Sequence, residues 1–305
     1  MRKRLFLTAA LAALTLALAF CAGCVNTEES SGIPLSEVIA SGDKYSYKIE
    51  LKPVLTCSGQ GEFTSAQGAA SDGKYVYFVF RQSENGDCIV RKCSLKTKKI
   101  VKTSAPIYLF HGNDMTYDSK TGLLYVAHGN KEGKILTSID PSNLSVKEQT
   151  IDIENGSGAI TYSAQRDKFA ISQGGKSLHF LDGELNLLTS FDRTDKTGYT
   201  AQGMGSDEKY IYFPMSSTDS NFIVVYDWEG NFVDQLLLDF AWESESIFWV
   251  NDTYYIAFNH ENAAHLYKMK ITKKVATCHF QLATYHLPFA TCNLPLIVQP
   301  SPPAA

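Results

Sequence analysis

Three carboxylates, Asp114, Glu243 and Glu245, stand at the heads of strand-like runs. Gln67, His111, Asn113, Ser157, Gln202 and Trp242 occupy comparable places in the chain. An Asp and a Glu on either side of a sugar act as base and acid in an inverting glycosidase when about 6.5–9.5 Å separates them. Asp114 with Glu243 or Glu245 is the candidate catalytic pair. The same groups also suit passive recognition, since convergent polar side chains beside an aromatic make a default binding site. A third reading is structural: Asp and Asn at a strand head bond the backbone of the next turn, and Gln bridges neighbours. Non-catalytic binding through Gln67, His111, Asn113, Asp114, Gln202, Trp242 and Glu245 is preferred. Hydrolysis or lyase chemistry, and a purely structural assembly role, stand as alternatives.

Other chemistry finds little support. There is no Gly-x-Ser-x-Gly elbow, no phosphate-cradling glycine loop and no HExxH pair. His260-Glu-Asn-Ala-Ala-His265 places its histidines five apart, on different faces of a helix, and its context reads as a β-turn. No metal site or cofactor is therefore assigned, although His111 with Asn113 and Asp114 leaves a channel cation open. The formal net charge is −4. Neutralising phosphates needs a basic face, so a nucleic-acid partner is not expected.

What would gather such distant residues is a repeat. Ala66-Gln-Gly68 leads through Asp72-Gly-Lys-Tyr75 into an aromatic strand, and Ala201-Gln-Gly203 leads through Asp207-Glu-Lys-Tyr210 into another. Weaker copies bring the aligned positions to Tyr77, Tyr125, Ile171, Tyr212 and Ile256, spaced by 48, 46, 41 and 44 residues. A period of ~40–45 residues holding four strands is the signature of a propeller blade. Gly, Asn and Asp cluster where four short strands need turns, as at Asp118–Gly122, Gly129–Gly133 and Asp140–Asn143. Gly68, Gly112, Gly158 and Gly203 fall where inner strands would crowd a common axis. The predicted fold is an all-β, five-bladed β-propeller over 44–275, with six blades as the alternative. Blades are expected at about 64–110, 111–156, 157–199, 200–242 and 243–275. The last has only three evident strands, so Tyr45–Leu51 is the preferred donor of its fourth, with Val275–Leu282 as competitor.

Over roughly 45–275 these motifs resemble those of secreted bacterial β-propellers of the broad WD-repeat and YVTN-like kind. The Gly-His and Trp-Asp dipeptides of WD repeats are missing in register, and Asp227-Trp228 is reversed. The resemblance implies architecture. Some five-bladed glycoside hydrolases set carboxylates around the axis, which is the source of the enzymatic alternative.

The ends carry a different message. Arg2, Lys3 and Arg4 precede an uncharged run from Leu5 to Phe20, the plan of an export signal. Ala22-Gly23-Cys24 resembles a bacterial lipobox, which implies a lipoprotein signal over 1–23 and acylation of Cys24. Residues 24–43 read as a flexible tether. The expected location is the extracytoplasmic face of the cell membrane, anchored by the lipid. The expected partner is an extracellular glycan or a cell-envelope protein. Residues 276–305 carry no charge and form a separate tail, expected to be partly disordered. Five cysteines follow Cys24, and Cys57 could pair with Cys88 or Cys93, or all could stay buried thiols.

Overall fold

Strands rich in tyrosine, phenylalanine and β-branched residues need cover on both faces, and the architecture supplies it. The computed structural model describes residues 45–82, 85–129, 134–153, 158–172, 177–195, 200–216 and 221–275. The predicted signal, Cys24, the tether, Ser157 and the tail at 276–305 lie outside these residues. Among the described residues there is no helix. They form five antiparallel sheets, one per blade, so the propeller has five blades and not six.

Blade 1 runs outward from Phe63–Ser71 through Tyr75–Gln82 and Asp87–Ser94 to Ile100–Thr103. Blade 2 follows with Asp114–Asp118, Leu123–Ala127, Ile135–Ile139 and Val146–Asp152. Blade 3 has Ala159–Ser163, Lys168–Ser172, Ser177–Asp182 and Leu187–Asp192. Blade 4 has a divided inner strand, Thr200–Ala201 and Gly205–Ser206, then Tyr210–Ser216, Asn221–Asp227 and Phe232–Leu238. Blade 5 holds Glu243–Val250, Thr253–His260 and Ala263–Val275, and its outermost strand is Tyr45–Ser58. The N-terminal strand thus closes the ring as expected and runs on past Leu51 to Ser58, while Val275 ends the third strand. Closure removes the open edge that a three-stranded blade would present.

Alternating side chains divide each blade between two neighbours. In blade 1, Val76, Phe78 and Phe80 pack toward blade 5, where they meet Leu55, Cys57 and Leu266. Tyr77 and Val79 face the other way, into a layer with Leu124 and Val126 of blade 2. Similar layers fill the remaining junctions. Each fully buried side chain of this size contributes about 1.5–3 kcal/mol, which drives the radial array.

The recurrent Asp-x-Lys-Tyr turn has a definite job. Asp72 Oδ1 accepts from the backbone of Lys74 and Tyr75, and Oδ2 accepts from Tyr77 Oη at 2.6 Å. Asp207 repeats every bond with Lys209, Tyr210 and Tyr212, again at 2.6 Å for the phenol. One carboxylate therefore caps the first hairpin and anchors the second strand. The His260–His265 segment is itself a hairpin, with Glu261 and Asn262 at φ 47° and 61°. That places the two histidines on paired strands rather than on a helix.

Candidate functional site

Bulges at the hub re-aim the inner strands. Ladder registers shift at Gln67–Gly68 in blade 1 and at Glu245 in blade 5, and the blade 4 strand is interrupted at Gln202–Met204. A bulge frees backbone groups from the ladder and turns them elsewhere. Here the Ala69 amide turns to Ser246, and the Met204 amide turns to Asp114. Its Oδ2 accepts from Ile160 N at 2.9 Å and Met204 N at 2.8 Å, and its Oδ1 accepts from Ser246 Oγ at 2.8 Å. Ser246 Oγ in turn accepts from Ala69 N at 2.9 Å. One carboxyl of blade 2 thereby ties together blades 3, 4, 5 and 1.

The approach is close enough to require glycine. A Cβ on Gly68 would lie 2.5 Å from the Asp114 backbone, and one on Gly203 would lie 2.1 Å from Glu245 O. Asp114 has no exposed surface and Glu245 is 3% exposed. Burial pushes the Asp114 carboxyl up to about 8 against the pull of its donors. Glu245 is raised well above the usual carboxylate range, first by burial and then by Glu243 and Asp114; its Oε1 has no hydrogen-bond partner.

The other residues singled out from sequence divide into two groups. Asn113 Nδ2 donates to Gly158 O and Gln202 O, and Gln202 Nε2 reaches Glu243. Asn259 reaches the second oxygen of Glu243 at 3.3 Å. Asn113, Gln202 and Glu243 therefore share one network at the strand starts, and Glu245 lies close enough to feel the charges of Glu243 and Asp114. Gln67, His111 and Trp242 bond elsewhere. Gln67 bonds Ser65 Oγ and Ala66 O. His111 accepts from Arg81 at 2.5 Å and is lowered to about 4 by burial and that charge. Trp242 stacks on His260 with ring centroids 4.2 Å apart.

Two adjoining axial cavities lie at the opposite end, where the inner strands finish. A vestibule of about 320 Å³ opens outward, and a chamber of about 70 Å³ continues toward the hub. Both are lined by the same five residues, Ser71, Tyr117, Tyr162, Ser206 and Trp249. These are equivalent positions, opposite Val76, Leu124, Phe169, Ile211 and Tyr254 in their ladders. The chamber includes Met115, Met204 and Ile247, each next in sequence to a hub-clamp residue or its glycine. Thr161 Oγ1 and Ser206 Oγ bond at 2.8 Å in its wall. Asp72 and Asp207 line the vestibule, but their oxygens are already engaged by the turn clamps. No shared residue type marks this ring in the sequence, since its five positions hold serine, tyrosine and tryptophan.

A pH dependence follows from the hub. The folded protein holds the Asp114 proton up to about 8, whereas the free side chain loses it near 3.8. Unfolding releases that proton, so raising the pH through this window favours the unfolded chain. Glu245 acts in the same direction. Asp140, Asp167 and Asp182 are held low by their hydrogen bonds and destabilise the fold only at more acidic pH. Unfolding free energies from urea titrations at pH 4 to 9 should be highest at the acidic end and fall by a few kcal/mol toward pH 9. A flat profile above pH 5 would contradict the assignment.

No protein-family model and no curated protein matches this sequence. Glutaminyl cyclase of Myxococcus xanthus has a similar structure, aligned over 73% of this chain and 97% of its own at 12% identity, TM-score 0.51. Virginiamycin B lyase of Staphylococcus aureus aligns over 74% of this chain and 99% of its own, at 10% identity and TM-score 0.42. A chain of a nidogen/laminin complex aligns over 76% and 100%, at 9% identity and TM-score 0.47. At these identities the likeness concerns the fold alone.

Proposed function

We propose that this chain is a non-catalytic binding propeller that takes a glycan end-on in the axial vestibule. The observation that carries this is the ring of five equivalent positions filled by three aromatics and two serines. Aromatic faces stack on the C–H faces of sugars, and hydroxyls and backbone carbonyls take the sugar hydroxyls. A concave site with few, well-placed polar groups favours such a ligand. Catalysis has weaker support. Asp114 and Glu245 have almost no exposed surface, and Asp72 and Asp207 are bound into turns. A glycan array probed with the purified protein tests the reading, with Trp249→Ala as the control; silence across neutral and acidic glycans would overturn it.

The location in this proposal is the outer face of the cell membrane, with a lipid on Cys24 and a tether over 24–43. The lipobox-like Ala22-Gly23-Cys24 supports it. Cys24→Ser should move the protein from the membrane fraction to the soluble extracytoplasmic fraction. Unchanged membrane retention would remove the anchor from the proposal.

A further inference from the structure

The ring is closed by hydrogen bonds between Tyr45–Ser58 and Ala263–Val275, and the far end of that closing strand carries Cys57. Cys57 and Cys93 lie 0% and 1% exposed in the apolar layer between blades 5 and 1. Both pack into the same buried cluster with Val76, Phe78 and Leu266, and each thiol perturbs the other. Cys88 faces the opposite side of blade 1, in the layer toward blade 2. Arg91 spans the same junction, donating from Nη1 to Ser58 O and to Gly59 O.

We infer that Cys57 and Cys93 form a redox clasp, in which oxidation joins them as a disulfide that ties the closing strand of blade 5 to blade 1. Pairing chemistry fits the surroundings. Cys57 and then the Arg91 charge draw the Cys93 thiol down against burial, while Cys93 and burial hold Cys57 up. Arg91 shares the strand of Cys93, so its charge favours the Cys93 thiolate whether the closing strand is docked or away, and Cys93 is the attacking sulfur. Its thiolate attacks an incoming disulfide, forming a mixed disulfide and releasing one thiol. Cys57 gives its proton to that leaving sulfur or to water and attacks Cys93 Sγ, releasing the second thiol. Two cysteine thiols are oxidised, and one low-molecular-weight or protein disulfide is reduced to two thiols. Because both sulfurs are buried in the closed ring, the exchange takes place before the N-terminal strand docks or when it lifts away.

The test uses the whole chain, purified without reductant and exposed to glutathione disulfide. It is then denatured, alkylated and digested without reduction. The expected map contains a Cys57–Cys93 cross-linked peptide, two hydrogens lighter than its parts, with Cys88 alkylated. Reducing the wild-type protein should lower its unfolding midpoint and its folded-to-unfolded ratio, on the order of thirtyfold. Cys88→Ser should keep the cross-link and Cys57→Ser should abolish it. Alkylated Cys57 and Cys93 in the oxidised wild-type protein would overturn the inference, whether or not either variant folds. A cross-link through Cys88, or a midpoint indifferent to reductant, would do the same.

Discussion

Asp114→Ala is expected to unfold most of the protein at temperatures where the wild type is intact. The substitution deletes the acceptor for Ile160 N, Met204 N and Ser246 Oγ in a fully enclosed hub. Each buried donor left without a partner costs about 1–3 kcal/mol. The two amides cannot turn to water, so the loss should reach roughly 3–5 kcal/mol against a typical total of 5–15. Asp114→Asn keeps the shape and one acceptor oxygen, and should cost less than the alanine. Ser246→Ala should weaken the hub further, because Ala69 N loses its partner. Chemical denaturation monitored by circular dichroism ranks the three. If Asp114→Asn left the midpoint unchanged while abolishing turnover of a glycan, the residue would be a catalytic group and the hub assignment would fail.

Trp249→Ala should reduce ligand affinity at least tenfold, roughly 1.4 kcal/mol or more, because large aromatics dominate enclosed contact surfaces. Trp249 is the largest member of the vestibule ring and packs against Tyr254 with ring centroids 4.4 Å apart. That contact sits beside the layer between blades 4 and 5, so some stability will also be lost. A thermal melt is therefore the necessary control. The chain has three tryptophans, and Trp228 is 5% exposed while Trp242 is stacked on His260. Fluorescence changes on ligand addition should accordingly come from Trp249. Tyr117→Ala and Tyr162→Ala should weaken binding by smaller factors. Full affinity in the Trp249 variant, with the fold intact, would move the site away from this end.

Much of the architecture was legible from local chemistry. The Asp-Gly-Lys-Tyr turn signalled a hairpin because a carboxylate two residues before an amide caps that turn wherever it occurs. Gln67-Gly68 and Gln202-Gly203 were legible as inner-strand markers, but their meaning was not. They mark places where the strand leaves its ladder so that the next amide can reach a hub side chain in another blade, Ser246 from Ala69 and Asp114 from Met204. Ser246 lies 178 residues from Gly68 and Asp114 lies 89 from Gly203 along the chain, and no local pattern ties them together. The site residues were harder for the same reason. Asp114, Glu245 and Gln202 drew notice as convergent polar groups, and they do converge. Among the described residues Asp114 and Glu245 are packed in, and an open volume lies at the other ends of the same strands.

By itself the sequence determined the blade: its period, its turns, its two-faced apolar strands and the missing fourth strand of the last repeat. All of these depend on neighbours within about fifty residues, where propensity and side-chain capping act directly. Tertiary structure decided, among the described residues, that a bonded carboxyl fills the strand starts and a hollow lies at the strand ends. That choice depends on the sum of side-chain volumes that five blades bring to one line. At the strand starts, glycine contacts and one carboxyl bring the backbones together. At the strand ends, a ring of tyrosine, serine and tryptophan leaves room for a guest.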